Sequence, residues 1–239
     1  MTFSARTDVG KEKRTNEDAI TTATAQSAQL LVVADGMGGH AAGDVASEIA
    51  STELREYVVG AIESGRSDHE SVLAEAAQQA NEAVIAAADE EASRGMGTTV
   101  VAALIDETVT ILNVGDSRAY AVGDSLEQLT VDHSLVQELI DAGEITPEEA
   151  KTHPQRNVVS RALGTDETVE PDLFSPSVDE FLLLCSDGLS EEVSETAIGD
   201  LIDAADSVAA ATEALIQRAN ENGGSDNISV ILTDQLVSK

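Results

Sequence analysis

Four short stretches, remote from one another in the chain, each carry a carboxylate where an apolar run ends or the backbone turns. They are Asn16-Glu17-Asp18, Asp35-Gly36-Met37-Gly38-Gly39-His40, Ser186-Asp187-Gly188 and Gly224-Ser225-Asp226-Asn227. An aspartate that follows a buried strand delivers a hard oxygen donor to the rim of a sheet, and adjacent glycines let the backbone close in on whatever binds there. A single Asp-Gly is ordinarily no more than a turn, because both residues suit turn geometry on steric grounds. Four such stretches in one chain shift that weighting towards a shared site, since strand ends can bring remote carboxylates together. An all-oxygen donor set suits magnesium or manganese. Zinc would find little to hold: the chain has 1 cysteine, Cys185, and its 4 histidines, His40, His69, His133 and His153, lack zinc-site spacing.

The elements that would position these groups are legible in the hydropathy pattern. Residues 30–34 read as a buried strand that ends at Asp35, and residues 181–185 as another that ends just before Asp187. Segments 1–9, 19–24 and 227–233 are compatible with strands, and 97–105, 109–114 and 117–122 suggest an antiparallel meander with short polar joints. Ala-rich amphipathic patterns without proline predict long helices over 43–64 and 68–93, and further helices fall at 134–142, 194–201 and 207–221, with a helical turn begun by Pro147. Strand groups separated by helix groups, without regular alternation, predict an α+β fold rather than a doubly wound sheet. At 239 residues the chain fits one domain, 1–239, long enough to bury a full core.

Composition narrows the partners. With 45 acidic and 13 basic residues the formal charge is −32, which excludes a nucleic-acid partner and disfavours an anionic membrane. The hydrophobic fraction of 42% falls in periodic runs, so the acid decorates the surface of a folded core. Lysine occurs only at 11, 13, 151 and 239 and the aromatic fraction is 2%, a composition that resembles proteins of salt-loving cells. A lone cysteine fits a reducing compartment, and the absence of a long apolar segment or a signal pattern predicts a soluble, cytoplasmic protein.

In their order and context the motifs resemble those of the metal-dependent serine/threonine phosphatases of type 2C, the PPM family. The resemblance runs through Thr7-Asp8-Val9-Gly10, Arg14 with Asn16-Glu17-Asp18, residues 35–40, Gly97-Thr98-Thr99, residues 113–118, His133-Ser134-Leu135, 153–157, 161–164, Asp187-Gly188 and 223–227. It covers nearly the whole chain. The fold it implies is a four-layer α-β-β-α sandwich, two central antiparallel sheets flanked by helices, with two Mn2+ or Mg2+ ions at one edge. Asp18, Asp35, Asp187 and Asp226 would be carboxylate ligands, the Gly36 carbonyl a backbone ligand, and Glu17 a ligand through water. A water bridging the ions would act as hydroxide and attack phosphorus in line, with no covalent intermediate. Arg14 matches the phosphate-holding arginine, and His40 is a candidate acid for the leaving alkoxide or a group that orients water.

The same resemblance implies a third, weaker metal held in part by Asp116. Many relatives place an aspartate four residues beyond the position of Asp187, where this chain has Glu191, a longer arm that could still reach. Residues 132–164 resemble the family's flap beside the active site, which would contact phosphoprotein substrates. His133 and His153 read as groups that fix turns rather than as catalysts, and Arg118 and Arg161 as internal ion-pair partners in so acidic a chain. Monomeric phosphoprotein hydrolysis is therefore expected. The competing reading is a non-catalytic phosphoprotein-binding module on the same fold; such a relative would be expected to have lost ligands, whereas this chain keeps four. A cysteine-dependent phosphatase is excluded because no arginine follows Cys185 before Arg218, and a P-loop because no lysine follows the glycines at 36–39.

Overall fold

A computed structural model describes residues 2–38, 42–88, 95–123, 125–176 and 181–234. The first strands are β1 (Phe3–Asp8), β2 (Asp18–Ala25) and β3 (Ala28–Met37), followed by helices α1 (Gly43–Glu63) and α2 (His69–Ala87). Next come β4 (Gly97–Thr98), β5 (Val100–Ile105), β6 (Val109–Val114), β7 (Arg118–Val122) and β8 (Leu126–Gln128), then α3 (Leu135–Asp141) and α4 (Pro147–Ala150). The chain ends with β9 (Asp172–Phe174), β10 (Phe181–Cys185), α5 (Asp187–Ser190), α6 (Glu195–Asp203), α7 (Val208–Asn222) and β11 (Ile228–Thr233). All strand pairs are antiparallel. One sheet has the order β1-β11-β10-β7-β8; the other runs β2-β3-β5-β6-β9, with β4 paired to β3.

Alternation along the central strands builds the layers. In β3, Leu30, Val32 and Ala34 face α1 and α2, while Leu31 and Val33 face the other sheet. Between the sheets they meet Ala119, Leu182, Leu184 and Ile231, whose neighbours Tyr120, Leu183, Cys185 and Val230 turn outward onto α6 and α7. Strands covered on both faces carry continuous apolar runs, hence VVAALI in β5 and FLLLC in β10. Helix α1 buries Ala46, Ala50, Leu54, Val58 and Ile62 at four-residue spacing, and α2 presents Ala76, Ala77 and Ala80. Small side chains let these helices lie close in a chain almost without aromatic residues. The expected four-layer α-β-β-α sandwich is the observed one.

The meander is corrected. Strands β5 and β6 pair as expected, but β7 leaves for the opposite sheet and pairs with β10 and β8. Gly115 makes the change of sheet with φ of 111°, a conformation that favours glycine, and an added Cβ would come within 2.5 Å of Thr99. His133 closes the turn: the Gly115 N–H donates to His133 Nδ1 (3.0 Å) and the His133 N–H donates to the Gly115 carbonyl (2.9 Å). Helices α3 and α4 lie where expected, α3 capped by Ser134 and α4 by a Thr146–Glu149 capping box with proline in its first turn.

Candidate metal centre

Asp18 and Asp35 face each other across the β2–β3 ladder. Like charges placed directly opposite repel, so the pair needs support from elsewhere. Ser186 supplies part of it: its Oγ donates to Asp18 Oδ2 (2.8 Å) and accepts the Ser229 N–H (3.0 Å). A residue at the end of β10 thereby ties the carboxylate of one sheet to the backbone of the other. The Asp35 backbone is fixed by the stretch at 98–99: its N–H donates to Thr99 Oγ1 (3.2 Å), and its carbonyl accepts from Thr99 N (2.9 Å) and Thr98 Oγ1 (2.9 Å). Asp187 opens α5 immediately after β10, and Asp226 precedes β11, so both sheets contribute at the same edge.

Close backbone packing holds these segments together. A Cβ on Gly36 would lie 2.0 Å from the Gly43 carbonyl oxygen, and one on Gly188 would lie 2.0 Å from that of Asn227. The Asn227 side chain clamps the loop ahead of β2: its Oδ1 accepts the Glu17 N–H (2.8 Å), and its Nδ2 donates to the carbonyls of Val9 (2.9 Å) and Thr15 (3.0 Å). Sequence reasoning gave Ser186 and Asn227 no role, although both sit inside the quoted motifs beside Asp187 and Asp226. Nothing local distinguishes them from turn residues, because their partners are far off in sequence.

Burial, then the charges of Asp18 and Asp187, raises Asp35 well above the ordinary aspartate range. Burial, then Asp116 and Asp226, does the same to Asp187. Asp18 is pushed up to about 6 by burial, against opposing hydrogen bonds from Ser229 and Ser186. Two buried carboxylate oxygens, Asp18 Oδ1 and Asp187 Oδ1, have no hydrogen-bond partner. Orphaned anionic oxygens of this kind are costly unless a cation completes them. Among the described residues, no three His, Cys, Asp or Glu groups converge closely enough to hold one ion from side chains alone. That is unlike a closed zinc shell and compatible with magnesium-type ligation, in which one or two carboxylates act with backbone oxygen and water. The residues present fit divalent cations of that kind.

Other expected site residues take defined places. Glu17, Asp116 and Asp226 are partly buried, and Lys13 ion-pairs with Asp226. Burial and Asp132 push Asp116 up to about 6. Glu191 is exposed and accepts a hydrogen bond from Asn157 Nδ2 (3.3 Å), so the segment at 132–164 touches the end of α5, the helix that Asp187 opens. Arg14 is exposed and joins no carboxylate among the described residues, unlike Arg118, which grips Asp132 (2.6 Å), and Arg161, which binds Asp172 (3.0 Å). His40 lies outside the described residues. His133 is buried in turn contacts, and His153 Nδ1 accepts the Gln155 N–H (3.2 Å). Burial lifts the Cys185 thiol to about 12, as suits an inert core residue.

Two sheets that meet along an acidic edge, with helices on both outer faces, make an α-β-β-α scaffold whose buried carboxylates gather at one rim. Residues 10–233 match the Protein phosphatase 2C family, and the chain belongs to it. It is 41% identical to serine/threonine phosphatase stp of Listeria welshimeri, covering 96% of this chain and 94% of the relative. Protein phosphatase PhpP of Streptococcus pneumoniae is 38% identical, with 97% and 96% covered. The catalytic domain of serine threonine protein phosphatase PstP, solved in complex with 2 manganese ions, aligns with a TM-score of 0.83 at 36% identity, over 98% of this chain and 97% of that one.

Proposed function

We propose that this chain is a metal-dependent protein serine/threonine phosphatase. In this reading Asp18, Asp35, Asp187, Asp226 and the Gly36 carbonyl hold two Mn2+ or Mg2+ ions, with Glu17 joining through water. The observation that carries it is the pair of orphaned buried oxygens, Asp18 Oδ1 and Asp187 Oδ1, beside carboxylates whose ionisation is opposed by burial and by one another. Family membership and relatives called serine/threonine phosphatases supply the reaction class. They also weigh against a non-catalytic binding module.

Divalent ions in such a site supply Lewis acidity, which lowers the pKa of water and offsets charge on phosphoryl oxygens. The chain's own residues do the rest. Ser186, Thr98 and Thr99 hold Asp18 and Asp35 in place, so little reorganisation is left for the reaction. Arg14, which pairs with no carboxylate among the described residues, offers its planar fork to phosphoryl oxygens. Water oxygen bonds to phosphorus as the P–O bond to the serine or threonine side chain breaks; the proton that water sheds passes to solvent, and the leaving oxygen takes one from His40 or, where His40 only orients water, from solvent. Asp116 and Glu191 form a weaker third metal position. The segment at 132–164 acts as a flap that meets phosphoprotein substrates. We further read the chain as one domain, a cytoplasmic monomer adapted to high salt; among the described residues, no helix is long and apolar enough to cross a membrane.

The test is manganese-dependent hydrolysis of p-nitrophenyl phosphate and of a phosphothreonine peptide in high-salt buffer. Asp35→Asn and Asp187→Asn should lose both metal binding and turnover while keeping the folded circular-dichroism spectrum. Near-normal turnover by both variants, or full activity in excess chelator, would refute the assignment.

A further inference from the structure

Lys13 lies at the acidic edge, partly exposed, and its Nζ forms an ion pair with Asp226 Oδ1. Lysine is rare in this chain, yet one of its few ammonium groups is placed against a residue of the metal centre. Asp35 and Glu17 also attract it. The same Asp226 Oδ1 accepts the Asn227 N–H (2.8 Å), so this oxygen is already engaged when Lys13 is docked. A divalent ion bound at Asp226 would meet the ammonium at close range. Two cations at one carboxylate oxygen repel strongly in a partly dehydrated cleft. The side chain is long, flexible and partly exposed, so it can withdraw.

We propose that Lys13 is a tethered counter-cation: it neutralises Asp226 while the cleft holds no metal, and it must leave before a divalent ion is held there. The residue thereby sets the metal concentration the enzyme needs. This inference rests on the ligand assignment made under the proposed function. Lys11 supplies the control, because it is exposed on the same loop, carries the same charge and makes no ion pair among the described residues.

The experiment is calorimetric titration of MnCl2 into the intact protein, Lys13→Met and Lys11→Met, with melting of each protein in the absence of metal. Lys13→Met should bind Mn2+ about five-fold more tightly, the scale of a partly exposed ion pair that no longer has to be broken. Its metal-free form should melt at a lower temperature. Lys11→Met should shift affinity by less than about two-fold, as expected for a screened charge. Equal effects of the two variants would reduce the matter to long-range charge and overturn the proposal. So would unchanged or weaker binding by Lys13→Met while the unaltered protein binds Mn2+ normally, and that result would leave the ligand assignment standing. Absence of Mn2+ binding by the unaltered protein would overturn both.

Discussion

Individual side chains at the acidic edge are held in states they would not choose alone. Asp18 and Asp116 are raised to about 6, and Asp35 and Asp187 are raised as well, so the folded protein keeps protons that the unfolded chain has released. Below about pH 4 both states are protonated; from there towards about 6 the unfolded chain ionises while folded Asp18 and Asp116 keep their protons, so the stability these two contribute falls across that window and is gone above it. Divalent ions reverse this, because they require deprotonated ligands and offset the repulsion. Saturating MnCl2 should therefore raise the melting temperature more at about pH 7 than at about pH 5. Scanning calorimetry at the two values checks this, and an equal shift would contradict it. Arg14 makes a different prediction. In the proposed role its exposed fork would bind phosphate before as well as during the reaction, so Arg14→Ala should lower kcat/KM about ten- to hundred-fold, chiefly through KM. Steady-state kinetics with an unchanged KM would argue against that role.

At the scale of elements, the site exists because two strand ends from different sheets are stapled together. Ser186 at the end of β10 hydrogen-bonds Asp18 of β2, while Gly188 lets α5 pack its backbone onto Asn227 ahead of β11. Ser186→Ala should leave the fold intact and weaken Mn2+ binding about 10- to 100-fold, the range for groups that orient ligands. Gly188→Ala should instead cost about 1–3 kcal/mol of stability, because the new methyl group has no room against a carbonyl oxygen. Urea unfolding separates the two: a lowered midpoint for Gly188→Ala, and an unchanged one for Ser186→Ala. These dependencies also explain which parts of the fold were legible beforehand. Helices α1 and α7 follow from local periodicity, and β3, β10 and the acidic motifs from local hydropathy. The departure of β7 to the other sheet does not, because it hangs on the positive φ of Gly115 and its distant partner His133. Strands β8 and β9 and helix α5, each three or four residues long, are too short to print a period. The carboxylates could be named from sequence, but the serine and asparagine that aim them depend on contacts across most of the chain.

The whole molecule carries a formal charge of −32, and its acid lies largely on the outer faces. Along α1, Glu48, Glu53, Glu56 and Glu63 are all exposed, opposite the stripe of Ala46, Ala50, Leu54, Val58 and Ile62. Such a surface favours solubility and opposes compaction, since the unfolded chain spreads the same charge over a larger volume. The core that must resist this repulsion is built mainly of alanine, valine, leucine and isoleucine, with Tyr120 its bulkiest fully buried side chain. Added salt tips the balance. The Debye length shrinks from about 10 Å at 0.1 M to about 3 Å at 1 M, so most repulsion between neighbouring surface charges is screened within that span. Anionic phosphoprotein substrates approach the same field and gain from the same screening. Melting temperature and phosphopeptide turnover should therefore both rise with KCl and level off near about 1 M, where little repulsion is left to screen. The plateau distinguishes charge screening from a general strengthening of apolar burial, which would continue to climb with excluded salts. A steady fall in both quantities across the titration would show that the acidic surface is not an adaptation to salt.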